Sequence, residues 1–129
     1  MKRTGICLLL MLLLLTGCGQ QSAFDGSRMT NETGFMMDYA ALNREEIAAL
    51  ELEKGDTLRV ELSHTGGKVD VKIGREGEEP IYQGTAQENA AFDLVIPEEG
   101  SYQISVTGHR ARGKASFMRI PAEEQAAAK

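Results

Sequence analysis

The sequence predicts an all-β fold, a small antiparallel β-sandwich of jelly-roll-like outline with about seven or eight short strands, and two observations predict it. Apolar and polar residues alternate through four stretches: TLRVELS with Leu58, Val60 and Leu62, KVDVKI with Val69, Val71 and Ile73, AFDLVIP with Phe92, Leu94 and Ile96, and SYQISVTG with Tyr102, Ile104 and Val106. A period of two belongs to a strand with one buried face. Turn-forming residues separate the runs, and the spacing of such signals, every 8 to 12 residues or so, is that of a sandwich.

The elements follow in chain order. Met36 and Met37 open a strand that enters the core, where a flexible thioether fills gaps. The segment NREEIAALELEKGD, residues 43–56, reads two ways. Asn43 as N-cap with Glu46 three residues on would start a helix. Ala48, Leu50 and Leu52 also alternate, and the strand is preferred, joined through EKGD to the next strand so that Leu52 meets Leu58. The link HTGG, residues 64–67, supplies two glycines for a tight hairpin. PIYQG, residues 80–84, is short and belongs at an edge, because proline cannot donate to a ladder. EEGS turns the chain into SYQISVTG, KASFMRI forms the last strand, and the tail PAEEQAAAK, residues 121–129, frays or forms a weak helix.

Ahead of this domain, residues 6–15 are an apolar run of ten after Lys2 and Arg3. Ten residues are too few to cross a hydrocarbon core, which needs roughly 20 in a helix. Basic, apolar, then small is the order of a secretory signal peptide. Its end, Leu15, Thr16, Gly17 and Cys18, resembles the lipobox of bacterial lipoproteins. The resemblance implies cleavage before Cys18, a diacylglyceryl thioether on its sulfur and acylation, palmitate included, of the new amino terminus. Two acyl chains hold where one is marginal, at about 0.8 kcal/mol per buried CH₂. The expected organisation is a signal peptide over 1–17, lipidated cysteine and flexible tether over 18–34, sandwich over 35–120 and polar tail over 121–129. A tether of that length reaches about 20 to 25 Å. Asn31, Glu32 and Thr33 match a glycosylation acceptor by chance.

Cysteine usage closes on itself, since Cys7 leaves with the leader and Cys18 carries lipid, so the domain stands on its core without a disulfide. Without Lys2 and Arg3, 12 basic residues face 19 acidic ones, a side-chain charge of −7. Such a balance excludes nucleic acid and disfavours a bulk anionic surface.

Catalytic and metal chemistry find little support. Ser63 and His64, with Asp56 and Asp70 not far away, outline a hydrolytic triad. Neighbours on a strand point to opposite faces, so they do not form a nucleophile and base. His64 and His109 fall in different turns without carboxylates at ligand spacing. The acids of GREGEEP, residues 74–80, with Glu98, Glu99, Asp70 or Asp93, lack the ladder of a Ca²⁺ loop and read as solvated turn charges. Tyr82 and Tyr102 make no sugar platform, because Tyr102 falls in the buried alternation and tryptophan is absent. No catalytic residue, metal or cofactor is expected.

The distinctive polar stretch is GHRARGK, residues 108–114. It sets Arg110, Arg112 and Lys114 close together with no acid nearby in sequence. An extended strand would turn Arg110 and Arg112 to one side, a patch for an anionic group such as a teichoic acid or lipid phosphate, or for an acidic partner surface. The alternative is a basic turn that balances Glu98 and Glu99, or Glu78 and Glu79, across the domain.

LEKGDTLRVEL, VDVKI and IPEEGSYQISV together resemble the bacterial pre-peptidase C-terminal domain, over about residues 47–120. The chain is also similar to small lipoproteins of Gram-positive bacteria that carry such a domain alone. The resemblance implies a jelly-roll-like sandwich acting as an accessory module. The expectation is therefore a non-enzymatic, lipid-anchored protein at the outer face of a bacterial membrane. It binds an envelope protein or, in the alternative, a glycan or anionic envelope polymer.

Overall fold

The computed structural model describes residues 23–123, which form seven antiparallel strands. These are β1 (Phe24–Asn31), β2 (Gly34–Leu42), β3 (Glu45–Leu52), β4 (Thr57–Arg75), β5 (Tyr82–Ala86), β6 (Ala90–Val95) and β7 (Gly100–Ile120). β4 and β7 are far longer than the others and pair with each other from Thr57 opposite Ile120 to Arg75 opposite Tyr102. At about 3.3 Å per residue β4 alone would extend some 60 Å, twice the width of a domain of this size. The ribbon therefore folds over at its middle.

The fold-over is built from register breaks between His64 and Gly66 and between Gly66 and Lys68, opposite His109 and Arg112. On β4 the buried residues are Leu58, Val60 and Leu62 before the break and Val69, Val71 and Ile73 after it. On β7 they are Tyr102, Ile104 and Val106, then Ala111, Ala115 and Phe117. Each strand carries one extra residue at the bend, so the parity of inward positions changes while the same face of the ribbon stays turned to the core.

The halves of the ribbon found two sheets. One runs β6, first half of β4, second half of β7, β2, β1; the other runs β5, second half of β4, first half of β7, β3. Phe35, Met37, Tyr39 and Leu42 of β2 face Ala48, Leu50 and Leu52 of β3 across the core, and Ile96 closes the far end. Removal from water stabilises the fold by roughly 1.5–3 kcal/mol for each large apolar side chain.

Two devices close the open flanks. On one, Arg28 of β1 donates to the Ile47 carbonyl oxygen at 2.9 Å and lies 3.5 Å from Glu46, which Arg44 also meets at 3.2 Å. On the other, the rings of Tyr82 and Phe92 meet with centroids 4.7 Å apart. At the end opposite the bend, buried Asp56 accepts from the Glu53 amide at 2.8 Å, from Arg119 Nε at 2.6 Å and from the Ala122 amide at 3.3 Å, tying β4 to the end of β7.

The all-β sandwich is the expected class, and residues 45–52 are strand rather than helix. Four details differ. HTGG is no hairpin: TLRVELS and KVDVKI are halves of one strand, and the glycines serve a bulge. KASFMRI is likewise continuous with SYQISVTG. β3 pairs with β7 instead of β4, so Leu52 and Leu58 lie in opposite sheets. The stretch Phe24–Asn31, expected as tether, is edge strand β1, paired to β2 and largely exposed. Its turn is fixed by Asn31, whose Oδ1 accepts from the Thr33 amide at 2.8 Å, the Thr33 hydroxyl at 2.6 Å and the Gly34 amide at 3.0 Å. The lipobox, Leu15 to Cys18, lies outside the described residues.

The bend makes Gly67 irreplaceable. Its φ is +67°, and a Cβ there would run into the carbonyl oxygen of Arg110. Gly77 has a similar φ of +80° but open space around it. Gly67→Ala is expected to lower stability in urea by about 3 kcal/mol or more, against about 1 kcal/mol for Gly77→Ala. Equal losses would show that the bend tolerates a side chain.

Candidate anion-binding groove at the strand bend

The bend determines where the basic stretch goes. Arg110 has φ +53°, the left-handed region that non-glycine residues seldom adopt. Asn43 holds it there, its Oδ1 accepting the Arg110 amide at 3.1 Å. Asn43 is itself fixed by its amide, which donates to the Ala23 carbonyl at 2.7 Å. The Thr65 hydroxyl reaches the Arg112 carbonyl at 3.4 Å across the ribbon. Between the two arginines Ala111 points into the core, so both guanidinium groups are left on the outside.

There they border a concavity of about 640 Å³, lined also by Ala23, Ala40, Ala41, Leu42, Asn43 and Gly66. Small side chains leave the groove open, and its backbone supplies polar edges.

Arg28 and Arg44 meet Glu46, Arg59 meets Asp93, Arg75 meets Glu78 and Glu98, and Arg119 meets Asp56 and Glu53. Among the described residues Arg110 and Arg112 alone of the arginines have no acidic partner. Lys114 does not join them. It lies 3.9 Å from Asp38, beside an outer-face trough lined by Met29 and Met36. The structure thus brings together two of the three cations that the sequence grouped. It does so through a strand bend rather than by simple alternation.

The other candidates are dispersed. His64 Nε2 lies 2.7 Å from the Tyr39 hydroxyl, while Ser63 on the opposite face is exposed. Asp56 belongs to Arg119, and Asp70 belongs to His109 at 2.7 Å and the Thr85 hydroxyl at 2.6 Å. Glu78 and Glu98 converge on Arg75. Among the described residues no three His, Cys, Asp or Glu side chains gather to hold a metal. Tyr102 is buried with its hydroxyl on the Glu98 carbonyl.

The ionisation of these groups follows their surroundings. Burial pushes the Tyr39 phenol up to about 12, with the Asp38 charge adding to it. Burial opposes the charged form of Asp56, but the Glu53 amide, Arg119 and the Ala122 amide outweigh it and hold its carboxyl below the usual range. Thr85 and His109 do the same for exposed Asp70. Burial draws His64 below the ordinary imidazole value, against the Glu88 backbone, which favours the proton.

Asn43 and Glu46 were hidden in the sequence by their fit to a helix start. The signal that could have found Asn43 is its place between two strand patterns, beside the alanine pair. Ala23 carried no signal at all.

No protein-family model matches the chain, and no curated protein does. Among solved structures it is similar to a CBM4 structure at 14% identity, TM-score 0.41, covering 80% of this chain and 79% of that one. It is similar to the Drosophila melanogaster CENP-C cupin domain at 10% identity, TM-score 0.39, covering 91% and 98%. It is also similar to a carbohydrate binding module from Cellvibrio mixtus lichenase 5A in complex with cellotriose, at 15% identity, TM-score 0.30, covering 78% and 88%. Folds of this kind host many unrelated functions, so function rests on the surface of this chain itself.

The His64 environment gives a pH dependence. The folded state disfavours its proton relative to the unfolded chain, so its contribution is complete above the unfolded value of about 6.5 and is lost as pH falls below it. The lowered aspartates contribute above about pH 4 and lose it only in stronger acid. The urea midpoint is expected to fall between pH 7 and pH 5, and to fall less in His64→Gln. An identical pH profile in that variant would remove His64 as the cause.

Proposed function

We propose that the chain is a non-enzymatic binding module, held at the outer face of a bacterial membrane by lipid on Cys18, whose groove takes anionic groups of an envelope polymer or acidic glycan. One observation carries the reading: of the seven described arginines the two without an acidic partner border the same concavity. Guanidinium is planar and permanently charged, and matches phosphate or carboxylate in two parallel hydrogen bonds. Two of them beside a lining of alanines suit spaced anions, along a polymer or across a surface, better than one compact ligand. Each contact is solvent-exposed and weak, and a repeating polymer gains through avidity.

A protein partner is the second reading, and a different surface favours it. The trough beside Lys114 carries Met29, 51% exposed, on edge strand β1. A groove that binds polyanion would leave that surface unused.

Binding of the mature protein to poly(glycerol phosphate) and to polygalacturonate, followed calorimetrically, tests the groove. Arg110→Glu with Arg112→Glu is expected to weaken binding roughly tenfold or more, and added salt to weaken the native protein's binding. Lys114→Glu should bind nearly as the native chain does. Undiminished binding by the double variant would overturn the reading. The anchor is tested apart: Cys18→Ala should abolish palmitate incorporation and leave the precursor uncleaved.

A further inference from the structure

The strand bend, the groove and the start of the described chain all lie at one end of the sandwich. Ala23 lines the groove and accepts the Asn43 amide, while β1 runs from there to a turn at the other end, where Gly34 pairs with Met118. Cys18 precedes Ala23 by five residues. Five residues reach at most about 17 Å, and about 12 Å as a flexible chain, half of what a tether over 18–34 would allow. A lipid on Cys18 therefore holds the bend end against the bilayer. The opposite end stands about 25 Å farther out, one half-strand away.

Charge is distributed along the same axis. At the bend end Arg110 and Arg112 have no acidic partner; Lys68 acts on Asp70, which His109 also meets, and Glu46 is taken up by Arg28 and Arg44, leaving Asp25, Glu45 and Glu88 as the other acids there. At the far end Glu76, Glu79 and Glu99 lack a cation, beside Glu78 and Glu98 on Arg75 and Glu53 and Asp56 on Arg119, with Lys54 the unpaired base. The named groups at the end away from the anchor thus carry seven acids against three cations. An anionic bilayer attracts the near end and repels the far one, and the Debye length of about 8 Å lets it act on the near end while screening the far one.

We infer that the domain docks on an anionic lipid surface through its bend end, with Arg110 and Arg112 on lipid phosphates. The inference rests on the groove reading above and on the anchor, and it names the source of the anion. Each basic residue close to such a surface contributes about 1 kcal/mol, too little to bind the free domain but enough to orient one that two acyl chains already hold there.

Orientation is read by energy transfer from a fluorophore on the mature, lipidated protein to a headgroup-labelled acceptor lipid. The label is placed at Thr65→Cys in the bend or at Gly77→Cys at the far end, in vesicles of phosphatidylcholine with or without phosphatidylglycerol. The bend label is expected to transfer more strongly than the far label on phosphatidylglycerol vesicles. The excess should shrink on pure phosphatidylcholine and in Arg110→Glu with Arg112→Glu. Equal transfer from both positions on anionic vesicles overturns the docking. If soluble polyanion binding still depends on the arginines in that case, the groove reading stands with a polymer as its occupant. If that dependence is absent too, the groove reading falls with it.

Discussion

The structure depends on the fold-over of the β4–β7 ribbon. Both sheets are nucleated by this one pair of strands, and every other strand is added to an edge that the pair provides. Gly67 and Arg110 sit opposite each other in left-handed conformations, and the space between them belongs to backbone. Were the bend lost, Leu58, Val60 and Leu62 would have no second layer to meet. The core is thus a consequence of two extra residues in an otherwise regular ladder. Strain at Arg110 is held by one Asn43 hydrogen bond and by a whole sheet on either side, which is how an unfavourable conformation persists.

Charge follows from the same geometry. A doubled sheet has two open flanks and a far end, and each is closed by arginine on buried carboxylate or by aromatic contact: Arg28 and Arg44 on Glu46, Arg119 on Asp56, Tyr82 on Phe92. Glu46 and Asp56 are nearly inaccessible, so removal of a partner would leave an uncompensated buried charge. Those arginines are structural by that reasoning. Arg110 and Arg112 close nothing, and the acids that the sequence offered as counterweights, Glu78 and Glu98, are already bound by Arg75 at the other end of the molecule.

Much of this was legible in the sequence because burial writes a period of two. Phe92, Leu94 and Ile96 on the one hand, and Tyr102, Ile104 and Val106 on the other, face the core side as their alternation predicts, Phe92 and Leu94 at its margin. Strand β1 was illegible for the opposite reason. It buries almost no side chain and is held by backbone pairing and by Arg28 over the Phe35 ring, 5.0 Å from its centroid. The bend was misread because a glycine pair between two alternating runs is the mark of both a hairpin and a bulge. The parity change from even to odd positions between Leu62 and Val69 fits both, since a two-residue hairpin also sets even positions opposite odd ones, and only the pairing separates them. A hairpin with two glycines would place those runs side by side, whereas here each pairs with a different part of β7. The groove was half legible: the basic stretch could be seen, but which cations converge depends on Asn43 and Ala23, far away in sequence.

Net charge and local charge give opposite expectations for this chain, and geometry decides between them. A charge of −7 over residues 23–123, spread evenly, would keep the domain away from an anionic surface. It is not spread evenly, because the acidic turns at 76–79 and 98–99 collect where the two ends of the ribbon meet, and the unpaired arginines collect where it folds. Beyond a Debye length the far acids are screened, so a surface near the bend senses mainly the cations there. On the proposed anchor at Cys18, the short link to β1 then matters more than overall composition. A long tether would let the domain tumble and present its average charge. On the proposed anchor, five residues present one end, the end that carries the two unpaired arginines.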